Sequence, residues 1–323
     1  MKGWGWFIAI YLFLGGVGAG AYLTSLAAEK GLLGHVPQLK RLGYIISAPI
    51  VASGAALLIL DLGQGKREPW LLFRLLSNPH SVMSWGTGIL SVFIALGLVR
   101  GYLAWRQQSA PDWLGYAGGV FAVATAVYTG LLLAAIRAVP FWHNYVLPIL
   151  FMISALSTGM SATTFLAHFL AREHGHQDNV CLAHVILVGA ELVVLSIFFG
   201  MISAGMMGPV AAESGAMIMF DQFSLVFWLC LVGIGLVGPL ALYVRQYLQS
   251  SRIHAAGMAA ALDTALASGL DNEATGLVLE QPLASPREPR YMCACDAAVL
   301  IGGLSLRCLF VFAALPVWSG LLG

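Results

Sequence analysis

Two polar stretches and one glycine-rich stretch hold the residue types that could do chemistry. The first runs Leu60-Asp61-Leu62-Gly63, then Lys66, Arg67 and Pro69, then Asn78-Pro79-His80-Ser81 and Met83-Ser84-Trp85-Gly86. The second runs Tyr128-Thr129-Gly130, then Arg137, Phe141-Trp142-His143-Asn144 and Leu147-Pro148. The third is LFLGGVGAGAYL, Leu12 to Leu23, in which Gly16 and Gly20 make a GxxxG face. Asp61 sits one turn inside the end of an apolar run, where a carboxylate is costly unless paired or hydrogen-bonded. It reads either as a helix-end carboxylate, snorkelling or paired with Arg67 or Arg74, or as a proton acceptor beside a redox ligand. The aromatics near Trp142 suit an interfacial belt, yet Tyr128, Arg137, His143 and Asn144 fall at the membrane level of the Asp61 loop. A quinone head group needs donors to its carbonyl oxygens, a group that exchanges protons and an apolar slot, and this set supplies them. The glycine face either packs helices closely or leaves room for a flat ligand.

The elements that must position these groups follow from composition. Of 323 residues, 59% are hydrophobic and 10% charged, against about 45–50% and about 25% in soluble domains. That excludes an ordinary soluble enzyme and a disordered chain. With 16 Lys+Arg against 15 Asp+Glu, no basic surplus neutralises phosphates, so nucleic acid is not a partner. The cysteines form no CxxC pair, which leaves neither a disulfide framework nor a thiolate metal site. Apolar runs lie near 6–28, 42–63, 81–104, 114–137, 142–170, 181–204, 222–247 and 296–318. Each approaches the roughly 20 residues a bilayer crossing needs, and none alternates with period two. They predict an all-α integral membrane protein with eight transmembrane helices embedded in lipid. The first run is too long, and too rich in aromatics and glycines, for a cleaved leader.

The long connection, about 248–295, holds an Ala-rich stretch suited to a short interfacial helix and an acidic, proline-containing segment. Lys2, Lys66, Arg67, Arg74 and Arg137 fall on one side of the membrane. The larger set, with Lys30, Lys40, Arg41, Arg100, Arg106, Arg172, Arg245, Arg252, Arg287 and Arg290, falls on the other. By the positive-inside rule both termini are then periplasmic and the long loop cytoplasmic. Gly15 to Glu29 and Gly159 to Glu173 share small residues and a closing Glu, as a parallel internal repeat would, or as two packing faces would.

Glu191 and Arg307 lie within spans, where charge faces a cavity or a partner. They read either as an ion pair or as part of a proton route from the inner side through His184 or His168 towards Glu191 or Asp296. His168 and His184 flank one hairpin, the arrangement a bis-His haem would need, or stand as interfacial histidines. Cys293 and Cys295 are two thiols where an iron–sulfur cluster typically takes four, so an electron acceptor has to come from a partner protein.

Taken together, GGVGAGAY, LDLG with NPHSVMSWG, YTG…IRAVPFW…LP…SAL..G and the final GGLSLR resemble the NrfD/PsrC family of polysulfide-reductase-like membrane subunits. The resemblance implies two four-helix bundles, placed at 1–140 and 141–323, and a site for a quinone, menaquinone or ubiquinone, near the periplasmic face. It implies no haem, metal or iron–sulfur cluster in the chain itself. It also implies partners on that face: a ferredoxin-like iron–sulfur subunit, itself bound to a molybdopterin catalytic subunit, in a bacterial or archaeal cytoplasmic membrane. Tyr128 and Asp61 carry over as quinone contacts, with Tyr11 in place of the polar helix-1 residue of some relatives. His143 joins them as a proton-handling group, and Gly16, Gly20, Arg67, His80, Trp85, Arg137 and Asn144 complete the expected pocket. A b-type cytochrome subunit and a secondary transporter centred on Glu191 and Arg307 are the competing readings.

Overall fold

The computed structural model describes residues 5–34, 36–61, 82–171, 178–268 and 291–315. Among the described residues every regular element is a helix: α1 (Trp6–Glu29), α2 (Pro37–Asp61), α3 (Val82–Trp105), α4 (Asp112–Ala134), α5 (Val146–Ala171), α6 (Asp178–Ser203), α7 (Pro209–Met219), a π-helical segment (Val226–Val237) that runs on into α8 (Gly238–Ser268), and α9 (Tyr291–Phe312). Eight of these, with the π segment and α8 counted as one, are long and apolar enough to cross a membrane. In lipid each backbone N–H and C=O must find its partner inside its own segment, so a long apolar run can only be a helix. The chain is a multi-pass membrane protein.

Glycines at φ +78° and +79°, Gly31 and Gly34, turn the chain between α1 and α2, a conformation that costs an L side chain more than a glycine. Trp6 at the start of α1 packs on Phe312 at the end of α9. Trp142, just before α5, donates its indole N–H to Phe310 O. The starts of α1 and α5 and the end of α9 therefore share one end of the molecule, the near end; Glu29 and His168 mark the far end.

Two helices form the centre. The most apolar stretch of α1 is 67% buried and that of α5 61%, against 28% for α3 and 33% for α6. Helix α1 packs on α2, α4, α5 and α9, while α5 also touches α4, α6 and α9. The α1–α5 crossing is backbone on backbone: a side chain on Gly20 would run into Ala155 O, and one on Gly159 into Gly20. Small residues permit that approach where lipid supplies no hydrophobic drive between helices. A second close crossing pairs Gly235 of the π segment with Gly302 of α9.

Several expectations shift. The Ala-rich stretch is no separate interfacial helix; it continues α8 to Ser268, since nothing before that residue breaks the helix. Residues 269–290 of the long loop lie outside the described residues. Helix α9 begins at Tyr291, five residues before the expected 296, so Cys293, Cys295 and Asp296 are helical, and Cys295 and Asp296 are buried. Arg100 is not a loop cation, because it is buried within α3 against Glu29. Helix α7 was not expected; its 11 residues are too few to span a bilayer.

Candidate functional site

At the near end, α4, α5 and the start of α3 frame an open groove. Its lining is Val82, Leu131, Ala134, Ala135, His143, Asn144, Tyr145 and Pro148, and its volume is about 230 Å³. The YTG glycine makes the groove's wall possible: a side chain on Gly130 would collide with Pro148 at the start of α5. One turn deeper, Tyr128 is buried with its ring laid on Gly86 of α3, where a Cβ would sit 1.7 Å from Tyr128 Cζ. The MSWG motif is thus the cradle of the YTG tyrosine. Tyr11 of α1 lies within electrostatic reach of Tyr128. Its hydroxyl is fully buried and has no hydrogen-bond partner among the described residues, and the same holds for Thr125 Oγ1 one turn before Tyr128. Buried polar atoms are seldom left unpaired in proteins. These hydroxyls lie near Tyr128, deeper than the groove's lining, and orphaned hydroxyls there fit a ligand that brings its own acceptors, as the carbonyl oxygens of a quinone would.

The other expected pocket residues are distributed unevenly. His143 is exposed on the groove wall, with Nδ1 3.0 Å from Ala134 O. Asn144 lines the groove too, but its Oδ1 accepts from Val146 N at 3.0 Å and so caps α5. Arg137 is exposed in the α4–α5 turn. Trp85 is 66% exposed on the outside of α3, whereas its neighbour Ser84 is buried. Gly16 and Gly20 face α5 and α9 instead of the groove: the nearest neighbours of a Cβ on Gly16 would be Arg307 Nη2 and Ala155 Cβ. Asp61 is the last residue of α2; its side chain, with Arg67 and His80, lies outside the described residues.

The far half holds a second polar assembly, and α5 is its spine. Ser154, Ser157, Ser161, Thr164 and His168 recur every three or four residues, which places them on one helix face. At the far end, Asp296 of α9 accepts from Tyr243 Oη of α8 at 2.6 Å. His184 Nε2 of α6 and His168 Nδ1 lie 3.7 Å and 3.9 Å from the same carboxylate. The His184 ring stacks on Tyr243, centroids 4.5 Å apart. Both histidines of the expected pair thus face one carboxylate.

Midway along α5, Ser157 donates to Glu191 Oε2 at 2.5 Å. Arg307 donates to Ser154 Oγ, Gly303 O and Phe151 O. Glu191 and Arg307 feel each other's charge but do not touch; Ser154 and Ser157 stand between them. Of the two readings of these residues, the ion pair is present only as a serine-bridged one. The stripe and Tyr243 were not singled out from sequence, although the α5 spacing was legible there. Nothing in the sequence pairs Tyr243 with Asp296, because that meeting depends on how α8 and α9 cross.

A third cluster closes the far end of the other half. Glu29 Oε2 accepts from Arg100 at 2.5 Å and from Tyr44 Oη at 2.6 Å. The Arg100 guanidinium also lies 4.5 Å over the Tyr44 ring. A carboxylate at a helix C-terminus opposes the helix dipole, and Arg100 compensates it.

The sequence profile of the family described as "Polysulphide reductase, NrfD" matches residues 3–268. Protein NrfD of Escherichia coli is 30% identical over 275 residues, covering 74% of this chain and 83% of that protein. The C chain of polysulfide reductase from Wolinella succinogenes is 29% identical over 272 residues, covering 75% and 83%. The C subunit of selenate reductase from Mesobacillus selenatarsenatis is 22% identical over 287 residues, covering 74% and 66%. The profile match takes in the Tyr128 groove and the α5 stripe and stops short of α9, which carries Asp296 and Arg307.

Proposed function

Because the chain belongs to the polysulphide reductase NrfD family, we propose that it is the quinone-reactive membrane subunit of a multi-subunit reductase complex. The relatives named as components of polysulfide and selenate reductases support a place in such a complex. The reading assigns it a ferredoxin-like iron–sulfur partner, linked to a molybdopterin subunit, at the near end. That end would be periplasmic in a cytoplasmic membrane, with the helices grouped as two four-helix bundles, α1–α4 and α5–α9.

The observation that carries the quinone reading is the buried Tyr11 hydroxyl, unpartnered among the described residues, beside a Tyr128 seated in a glycine cradle behind an open groove. A quinone bound there would supply reversible electron and proton uptake at its carbonyl oxygens. Tyr128 and Tyr11 would donate hydrogen bonds to those oxygens, and burial of both phenols fixes their direction. Leu131, Ala134 and Pro148 line the groove and suit an apolar tail. His143 and Asp61 would hold or pass the proton at the mouth, with Arg137 steadying negative charge there. Electrons would cross to the iron–sulfur partner, since the chain's own thiols are dispersed.

The second half fits a proton route. His168, Asp296, His184, Ser157 and Glu191 form a chain of groups able to hold or relay a proton. A transporter reading, with Glu191 and Arg307 as a substrate site, gains no support, since the serines and Gly303 O already engage both.

The test is binding of a fluorescent quinol-analogue inhibitor to the purified complex. Wild type is expected to quench its fluorescence at stoichiometric concentration. Tyr128→Phe, which keeps the ring and removes the donor, is expected to weaken binding by roughly threefold to tenfold. Equal affinity of Tyr128→Phe and wild type, in properly folded complexes, would remove Tyr128 from the site.

A further inference from the structure

We infer that the α5 stripe is a blind half-channel. It opens at the far end, is stopped by a phenylalanine plug before the near end, and discharges sideways at Gly16 into the half that holds Tyr11 and Tyr128. The lateral step rests on the quinone reading of the groove; the plug does not.

Burial grades along the stripe as an entrance requires. The His168 side chain is 20% exposed and that of Asp296 1%. Thr164, Ser161, Ser157, Glu191, Ser154 and Arg307 beyond them are buried. From His168 to Ser154 the helix rises about 21 Å, most of a hydrocarbon core. Along the route Ser161 faces Tyr243 and Thr164 faces Asp296, which carries the line of polar groups from the far end inward. Four helices of this half contribute: α5 the hydroxyls and His168, α6 His184 and Glu191, α8 Tyr243, α9 Asp296 and Arg307.

Past Arg307 the stripe has no further polar side chain among the described residues. Phe310 is ringed by Phe141, Phe151, Phe198 and Phe199, with centroids 5.0 to 6.4 Å away, and Phe227 packs on Phe199 at 4.9 Å. This cluster of rings fills the near half between α5, α6, α9 and the π segment. A proton reaching Ser154 therefore meets an apolar wall ahead.

It meets bare backbone at the side. A Cβ on Gly16 would lie 3.2 Å from Arg307 Nη2, and one on Gly15 3.4 Å from Thr129 Cγ2. Thr129 adjoins Tyr128 on α4. Two consecutive glycines of α1 are thus what separates the end of the stripe from the tyrosine site. The protons that balance quinone reduction, one for each electron taken from the iron–sulfur partner, would enter from the far face by this route. Quinol oxidation would return them along it.

The test uses the whole complex in sealed vesicles, with pH dyes reading each face. Without any quinol, wild type should be proton-tight. Phe310→Ser, or Phe198→Ser where the first fails to assemble, should leak protons, and adding Asp296→Asn should seal the leak. Absence of a leak in both plug variants, or a leak indifferent to Asp296→Asn, overturns the half-channel whatever the groove binds. During turnover, Asp296→Asn and Gly16→Ala should each lower the rate and the far-face pH change together, by about tenfold or more, with quinol-analogue binding unchanged. Full turnover with the far-face pH change lost would mean a separate pump, and an unaltered far-face pH change would mean a structural stripe. Either result overturns the lateral discharge.

Discussion

The Gly86 cradle offers the sharpest perturbation of the proposed site, because it moves Tyr128 without touching it chemically. In Gly86→Ala the new Cβ would sit 1.7 Å from Tyr128 Cζ, 2.0 Å from Oη and 2.2 Å from Cε2, where ordinary contact begins at 3.4 Å. The ring must therefore withdraw by about 1.7 Å, the difference between the first and last of those distances. Overpacking of this kind costs about 1–3 kcal/mol in a well-packed core. A donor displaced by more than an ångström loses its hydrogen bond, worth about 0.5–1.5 kcal/mol net, and can lose about a hundredfold in rate. Gly88, two residues along the same helix, has nothing within 4 Å of its added Cβ, so Gly88→Ala is the matched control. Thermal unfolding and quinol-analogue titration of the purified complex read both effects. Gly86→Ala should lose about threefold to tenfold in affinity, with a lowered Tm, and Gly88→Ala neither. If Gly86→Ala binds the analogue as wild type does, Tyr128 is not a contact and the cradle is packing alone.

Other perturbations separate structure from chemistry. Gly20→Ala would drive a methyl into Ala155 O at the α1–α5 crossing; backbone cannot give way as a side chain does, so Tm should fall by the equivalent of about 3 kcal/mol. Glu29→Gln leaves Arg100, with a side chain 7% exposed, without its counter-charge, and should destabilise by about 3 kcal/mol. Combining it with Arg100→Met should recover most of that loss, as a double-mutant cycle on Tm would show. Asn144→Ala removes the cap on α5 and should cost about 1 kcal/mol, with analogue affinity changed far less than in Gly86→Ala.

Some of this molecule is written along the chain. Apolar run length fixes the number of spans, because lipid allows an isolated segment no backbone partner but itself. Runs misplaced by a few residues, such as that of α9, failed where polar residues begin a helix: Cys293 and Cys295 look like loop, yet both lie within α9 and Cys295 is buried. The short motifs carried the family because they encode local necessities, such as the glycine of YTG that admits Pro148. The sequence counted Arg100 among the cations of one membrane side and left Glu191 and Arg307 as either an ion pair or a proton route. In both cases the deciding partner, Glu29 or Ser154, lies on another helix.

Hydropathy and turn chemistry act within a few residues, so the chain alone specifies a lipid-embedded bundle of eight helices, its relatives and its stock of ionisable groups. Which groups meet is settled by how the helices cross. Tyr128 lies on Gly86, Tyr243 reaches Asp296, and Arg307 stops beside Gly16, because helices in a membrane approach where side chains are missing. Those gaps match one another only after the helices have crossed.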